Sequence, residues 1–232
     1  MTTSGLFDAL SSDIAEGWTR FVAHPFVMQL ADGSLPEASF RHYLAQDYLF
    51  LTHYARAFAL AVVKSDTMED LRQSAAGVHL LLNHELPLHI SFCAGWGLSE
   101  ADLACVEEAP ANRLYTRYVL DRGQSGDLLD LLVALAPCSL GYAEIGRRII
   151  GDPKTRRADN PYRPWIELYG GDDFQSGSAA LAAQLDRVAT QRGIDPADPR
   201  SSARWPALRD TFATATALEV GFWDMGLNPP PA

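Results

Sequence analysis

One stretch, residues 127 to 150, constrains the fold most, because it reads as a single long helix with an apolar face. Apolar residues recur there at steps of three and four, and the inward set is Leu131, Ala134, Leu135, Cys138, Tyr142, Ile145 and Ile149. Pro137 lies inside this helix. A proline there removes one backbone donor and frees the carbonyl of Val133, at a cost of roughly 3 kcal/mol. We therefore predict a kink beside a buried thiol.

The remaining segments also follow the helical period, and none shows the alternation of a strand. The pairs Ser34 with Glu37, Thr67 with Asp70 and Ser99 with Asp102 indicate helix starts. Helices are predicted over residues 6 to 21, 36 to 64, 67 to 93 with a bend at Pro87, 99 onward, 110 to 121, 127 to 150, 162 to 169, 177 to 192 and 205 to 225. We expect one all-α domain over residues 1–232, with a frayed tail at 228–232.

Composition and charge restrict the possible partners. The chain is 47% hydrophobic and 21% charged, which is typical of a globular protein, and no uninterrupted apolar run reaches the roughly 18 residues that span a bilayer. The first residues carry acids and no basic leader, so the cytoplasm is the expected compartment. With 19 basic and 29 acidic residues the net charge is −10, which disfavours nucleic acid and anionic membranes. Small molecules and protein partners remain.

The three cysteines, an odd number without a CxxC pair, predict free thiols and not a disulfide framework or a zinc site. On its own, Cys138 is compatible with a small core residue that has no chemistry. A thiol becomes a nucleophile only when another group deprotonates it, and no histidine or lysine adjoins Cys138 in the sequence.

Two carboxylates also fall on apolar helix faces. Asp47 interrupts an aromatic stripe, where it could bond to a tyrosine or bind a ligand. Glu219 shares a face with Phe212 and Phe222, where a core salt bridge is the alternative. If these carboxylates met Cys138 in one cavity, desolvation would raise the glutamate's pKa and suit it to proton transfer near neutrality. Such an arrangement predicts covalent catalysis by a cysteine and a glutamate.

The histidines offer a rival, a metal site in the helical bundle. All six lie within the first 89 residues, so the later helices supply no imidazole, although Glu85 and His89 could share a face. We interpret His79, His84 and His89 as solvated or structural residues. A haem site that uses one of them stays open at this point.

Six blocks of the sequence, taken in order, resemble the TenA family, the thiaminase II enzymes of thiamin salvage. The blocks are HPF at 24–26, HYLAQDYLFLTHYARAFALA at 42–61, YTRYVLD at 115–121, APCSLGYAEIG at 136–146, NPYRPWIELYGGDDF at 160–174 and ALEVGFWDMG at 217–226. The resemblance covers nearly the whole chain. It implies an all-α, haem-oxygenase-like multi-helix bundle, a fold that this family shares with haem oxygenase and PqqC.

The resemblance also implies roles for particular residues. Cys138 would attack a ring carbon of a 4-aminopyrimidine, while Glu219 handles protons on the cysteine and on a ring nitrogen. Asp47 would bind the amino group and the ring edge. Phe50 stands where the family often has a tyrosine, which keeps the stacking surface and removes one hydroxyl. The other implied pocket residues are Tyr115, Tyr142, Tyr169 and Phe222.

The implied reaction is hydrolysis of the bond between the pyrimidine's methylene and its leaving group, to give hydroxymethylpyrimidine. The leaving group is thiamin's thiazolium or an amine, and the solvated loop at 154–160 could bias that choice. The resemblance implies a homotetramer without metal or organic cofactor. Two alternatives remain, an oxidase of this fold that uses haem, a metal or dioxygen directly, and a regulatory protein that binds a pyrimidine without turnover.

Overall fold

A computed structural model describes residues 5–230, and every regular element in that range is helical. The α-helices, in chain order, are α1 Leu6–Asp13, α2 Ala15–Val22, α3 Pro25–Asp32, α4 Glu37–Lys64, α5 Met68–Leu80, α6 Leu86–Gly95, α7 Glu100–Ala104, α8 Pro110–Ser125, α9 Leu128–Gly151, α10 Arg163–Gly170, α11 Asp172–Gln191 and α12 Trp205–Leu227. A π-helical turn, Leu81–Glu85, joins α5 to α6, and a 3-10 turn, Pro199–Ser201, precedes α12. The prediction for the tail falls partly on residues 231–232, outside the described range.

The helix α9 forms the centre of the bundle. It packs against α2, α4, α8, α10, α11 and α12. By length and composition it could cross a membrane, but 83% of its most apolar 18-residue window is buried inside the bundle. That burial is the pattern of a core helix in a helical protein. The long apolar helix predicted from the sequence is therefore confirmed as the core element.

Several predicted helix starts are confirmed by their caps. Thr67 accepts a hydrogen bond from the Asp70 backbone N–H at 3.1 Å at the start of α5. Ser99 and Asp102 form the reciprocal capping box of α7. The Asp127 carboxylate accepts from the first-turn N–H groups of α9. These side chains satisfy backbone donors that the first helical turn leaves unpaired.

Other predicted boundaries are wrong. The predicted helix over 6 to 21 breaks at Ile14, whose φ of −119° and ψ of 32° separate α1 from α2. Ser34 does not cap α4, because Pro36 occupies the cap position and the Ser34 N–H donates to Asp32 instead. Gly123 does not end α8, which continues to Ser125 because a glycine lets the helix approach Leu131 closely. At Gly123 a tertiary contact outweighs the local sequence signal.

The helix α11 begins at residue 172, five residues earlier than predicted. Gly171 caps it in an extended conformation, and Asp172 and Asp173 occupy its first turn. Acidic side chains are favourable there because the helix N-terminus carries a partial positive charge. The earlier start carries α11 alongside α10, close to the thiol of α9.

Two prolines disturb helices in different ways. Before Pro87 the chain forms the π-helical turn, and the Leu86 N–H reaches back to the Leu81 carbonyl. A wider turn of this kind accommodates a residue that has no backbone donor. At Pro137, by contrast, α9 stays helical on both sides. The kink at Pro137 therefore stays a prediction.

Candidate active site

Three helices bring the predicted chemical groups together. Cys138 lies on α9, Asp47 on α4 and Glu219 on α12, and all three are buried at 8%, 3% and 2% exposure. The Glu219 carboxylate and the Asp47 carboxylate lie close enough to the thiol that their charges raise its pKa, and the Asp47 charge also raises the pKa of Glu219. From the sequence we expect these three residues to meet, although their helix faces lie far apart in the sequence. This arrangement agrees with that expectation.

Glu219 is held by a tyrosine and not by a basic side chain. The Tyr115 hydroxyl, presented by α8, donates to Glu219 Oε1 at 2.8 Å. Burial raises the pKa of Glu219 to about 8, although the hydrogen bond from Tyr115 lowers it and the nearby Asp47 raises it further. The alternative of a core salt bridge at Glu219 is therefore wrong. The carboxyl is mostly protonated at neutral pH.

The Cys138 thiol is also held neutral. Burial raises its pKa well above the ordinary range, and the negative charges of Glu219, Glu85 and Asp47 raise it further. The nearby hydroxyl of Tyr54 on α4 lowers the pKa of Cys138. Tyr54 is itself fixed by donating to the Leu135 carbonyl at 2.6 Å. The sequence did not single out Tyr54 as a site residue.

Asp47 takes part in a buried network with His89. Asp47 Oδ2 lies 2.7 Å from His89 Nε2, and His89 Nδ1 lies 2.8 Å from the carbonyl of Glu85. Since a carbonyl can only accept, Nδ1 carries a proton, and one further proton is shared between Nε2 and the carboxylate. Burial lowers the pKa of His89, but Asp47 and Glu85 outweigh it, and the pKa is raised overall. The raised pKa favours the charged form of His89, which forms a buried ion pair with Asp47.

The three histidines that were interpreted as solvated or structural fall into two groups. His79 and His84 are exposed, as expected, whereas His89 is completely buried and structural. Both ring nitrogens of His89 face protein acceptors, so it is not free to ligate a metal or haem in this arrangement. Within residues 5–230, no three His, Cys, Asp or Glu side chains converge as a metal ion requires. The absence of a cofactor stays a prediction.

A second buried hydrogen-bond network, formed by aromatic side chains, also includes Asp47. The Tyr43 hydroxyl donates to Asp47 Oδ2 at 3.0 Å, and the Trp165 indole N–H donates to the Tyr43 hydroxyl at 3.4 Å. The alternative of a hydrogen bond between Asp47 and a tyrosine is thus confirmed. Both contacts use Oδ2, and Asp47 Oδ1 has no hydrogen-bond partner among the described residues. One carboxylate oxygen therefore remains for another group.

Glu85 is a site residue that the sequence did not identify. Its Oε1 accepts a hydrogen bond from the Tyr169 hydroxyl of α10 at 2.6 Å. Burial raises the pKa of Glu85 to about 7, while His89 and Tyr169 lower it and Asp47 raises it. The i to i+4 spacing of Glu85 and His89 was the signal in the sequence, and it was interpreted only as a possible metal face.

Aromatic rings surround these polar groups. Phe50 packs against Phe222 and Tyr115, with ring centroids 5.4 Å and 5.0 Å apart, and Tyr142 packs against Tyr169 at 4.9 Å. A planar ring between two others needs a centroid separation of about 7 Å. A ligand ring in this conformation therefore stacks beside the pair of Phe50 and Phe222 and not between them.

A cavity of about 450 Å³ leads from the surface to the thiol. Its inner wall contains Cys138, Tyr142 and Tyr54, and its outer wall comes from α5, the π-helical turn, α10 and α11. Glu85 also lines it. The other predicted site residues are absent from the cavity wall and lie buried behind it. They are Asp47, Phe50, Tyr115, Tyr169, Glu219 and Phe222.

The helical arrangement is that of a known fold. A Shewanella denitrificans domain described as having a heme oxygenase-like fold superposes with a TM-score of 0.71 at 16% identity, over 95% of this chain and 91% of that one. The predicted fold class is therefore confirmed.

Sequence comparison then defines the family. The model described as the TENA/THI-4/PQQC family matches residues 12–228, and the chain belongs to this family. A crystal structure of a TenA family transcription regulator from Silicibacter superposes with a TM-score of 0.91 at 44% identity, covering 98% of this chain and 99% of that one. A Halalkalibacterium halodurans protein named aminopyrimidine aminohydrolase is 37% identical over 91% of this chain and 90% of its own length.

Proposed function

We propose that this protein is an aminopyrimidine aminohydrolase of thiamin salvage, which uses Cys138 to release hydroxymethylpyrimidine. The observation that carries the proposal is the buried Cys138 thiol at the inner end of a cavity, with the Glu219 carboxyl close enough behind it for its charge to raise the pKa of the thiol. A nucleophile beside a proton-transferring group is the arrangement that covalent catalysis needs. The substrate class follows the relative from Halalkalibacterium halodurans, whose name describes this activity.

In the first step, Cys138 Sγ bonds to a ring carbon of the pyrimidine while a ring nitrogen gains a proton. Glu219 performs both transfers, because its protonated carboxyl donates to the ring nitrogen and the resulting carboxylate takes the thiol proton. Because the pKa of Glu219 is about 8, its carboxyl holds a proton at neutral pH and can transfer it in the reaction. Glu219 gives one proton and takes another, so this step adds no net charge to a site that contains several carboxyl groups. The Tyr115 hydroxyl donates to the Glu219 carboxyl, and the nearby Tyr54 hydroxyl lowers the pKa of the thiol.

Substrate recognition falls to Asp47 and the aromatic rings. Asp47 Oδ1 accepts from the pyrimidine's amino group, while Oδ2 is held by His89 and Tyr43. Phe50 and Phe222 supply the apolar surface for the ring, and the hydroxyls of Tyr142 and Tyr169 line its edge. Because the cavity stops at Cys138, full contact with Asp47 requires side chains to move as the ring enters.

Two assays test the proposal. Purified protein is incubated with 4-amino-5-aminomethyl-2-methylpyrimidine and with thiamin, and hydroxymethylpyrimidine is measured. We expect product from the wild type and a loss of at least ~10³-fold in Cys138→Ala. The matched control is Cys105→Ala, which removes an exposed thiol and leaves the rate unchanged. Product formation by Cys138→Ala at the wild-type rate would contradict the mechanism.

A second candidate, a pyrimidine-binding regulator, is favoured by the description of the Silicibacter structure as a transcription regulator. A net charge of −10 argues against direct contact with DNA. Calorimetric titration with the aminomethyl compound separates the two candidates. Binding of the compound without product formation supports the regulator and refutes the hydrolase.

Two further statements stay predictions from the resemblance, a homotetrameric assembly and a cytoplasmic location. Light scattering of the purified protein tests the first, and a mass of one chain refutes it. The loop at 154–160 is exposed apart from Thr155 and Asn160 and lies beyond the cavity wall, so it does not contact the leaving group in this arrangement.

A further inference from the structure

Resting on the proposed hydrolase function, we infer that Glu85 is the acid–base residue for the second half of the reaction. It protonates the departing amine nitrogen, and afterwards its carboxylate deprotonates the water that replaces the amine. Glu219 serves the ring, and Glu85 serves the leaving group. This division makes Glu85 a determinant of which leaving groups the enzyme releases.

The position of Glu85 supports this role. The leaving group has to depart into the open cavity, and water has to enter through it. Four carboxyl side chains line the cavity, those of Glu85, Glu167, Asp172 and Asp173, and only Glu85 shares the inner part with Cys138 without being exposed. Glu219, in contrast, lies behind the thiol and is absent from the cavity wall. Glu85 is therefore the carboxyl that stands where the amine leaves.

The local backbone holds Glu85 in this place. Glu85 is the last residue of the π-helical turn Leu81–Glu85, two residues before Pro87. π-helical turns are rare and occur often at functional sites, because the additional residue points a side chain in a direction that a regular helix does not reach. The Tyr169 hydroxyl fixes the carboxyl at 2.6 Å, and the Glu85 carbonyl is bonded to His89. Hydrogen bonds thus hold both the side chain and the backbone carbonyl of Glu85.

The groups that face Glu85 come from four helices. They are Asp47 on α4, His89 on α6, Cys138 on α9 and Tyr169 on α10. The charge of His89 lowers the pKa of Glu85, and the charge of Asp47 raises it by less. Burial raises the pKa of Glu85 to about 7, so both forms of the carboxyl are populated at neutral pH. A pKa near the working pH suits a group that has to give one proton and take another.

The chemistry balances with one water molecule. After Cys138 Sγ has bonded to the ring, the methylene C–N bond breaks, its electron pair stays on nitrogen, and that nitrogen takes the proton of Glu85. Ammonia leaves, and an exocyclic methylene remains on the ring. Water then bonds to the methylene carbon while the Glu85 carboxylate takes its proton. Glu219 then reverses its two transfers: as the C–S bond breaks, the departing sulfur takes the proton of the Glu219 carboxyl, and the resulting carboxylate takes back the ring proton. The thiol is restored and hydroxymethylpyrimidine is released.

The test compares two leaving groups under single-turnover conditions. The aminomethyl nitrogen needs a proton to leave, whereas thiamin's quaternary thiazolium nitrogen cannot accept one and leaves as a neutral thiazole. We expect Glu85→Gln to slow ammonia release at least ~100-fold and to change thiazole release by less than about threefold. Glutamine keeps an acceptor for Tyr169, and Glu167→Gln, at the exposed part of the cavity, is the matched control.

Each outcome decides the matter. Equal slowing of both leaving groups, or no slowing of ammonia release, overturns the role of Glu85. If the wild type releases only ammonia, Glu85→Ala is assayed with added formate, and failure of formate to restore at least ~10-fold of the lost rate overturns it. Circular dichroism verifies that each variant is folded. Release of neither leaving group by the wild type instead refutes the proposed function.

Discussion

The substitution Glu219→Gln separates the chemical use of this carboxyl from its effect on the fold. The Glu219 side chain is 2% exposed, and Tyr115 donates to its Oε1 at 2.8 Å. Glutamine retains that acceptor oxygen and the volume of the side chain, but it cannot ionise. The variant should therefore lose at least ~100-fold in hydrolysis and fold more stably in alkaline solution.

The magnitude follows from the two pKa values. The pKa of Glu219 is about 8 in the folded chain against an ordinary value of 4.5, so the folded state holds the proton more tightly. This stabilising contribution is fully present below pH 4.5 and is lost as the pH rises toward 8. At 1.36 kcal/mol for each pKa unit, the full loss is about 5 kcal/mol. Between pH 5 and pH 9, Glu219→Gln should gain about 4 kcal/mol relative to the wild type.

Urea unfolding at pH 5, 7 and 9, at constant ionic strength, measures this difference. Glu167→Gln is the control, since it makes the same substitution at a carboxylate that is 57% exposed. A free energy of unfolding for Glu219→Gln that follows the wild type in parallel across the three pH values would refute the reasoning. It would mean that Glu219 ionises inside the fold as easily as in water.

Two further variants test how the fold supports the site. Gly146→Ala should destabilise the protein by about 1 to 3 kcal/mol and lower activity, because a Cβ there collides with the Tyr169 backbone, whereas Gly151→Ala meets no neighbour; equal melting temperatures of these two variants would contradict this. Asp70→Ala should cost about 1 to 3 kcal/mol, because it removes the buried carboxylate that joins α5 to Arg187 and Gln191 of α11; an unchanged urea midpoint would contradict this.

The sequence predicted the long helices well, and packing explains why. In α9 and α4 the apolar period extends over six turns or more, so one misleading residue changes little. Short segments depend on single residues, and the breaks at Ile14 and the start of α11 escaped prediction for this reason. Gly123 looked like a helix end because a glycine gives the same signal whether it ends a helix or permits a close contact.

The site was predictable where it lies on regular helices. Asp47, Cys138 and Glu219 each share a face with apolar neighbours, so their inward direction could be read from the period. Glu85 could not be placed in this way, because the additional residue of a π-helical turn rotates every following side chain relative to a regular helix. His89, four residues later, was for the same reason not recognised as the partner of Asp47. Both residues became visible only with the contacts between helices.

In the resting enzyme, acidic side chains of this site already hold the protons that the proposed reaction uses. Asp47 forms a buried ion pair with His89, while burial favours the neutral forms of the Cys138 thiol and the Glu219 carboxyl and raises the pKa of Glu85 to about 7. A neutral pyrimidine therefore enters a site with little net charge. Under the proposed mechanism, one proton is ready for the ring and another for the amine, so the C–N bond can break before any proton arrives from solvent. Water is needed only afterwards, when the emptied cavity admits it beside Glu85.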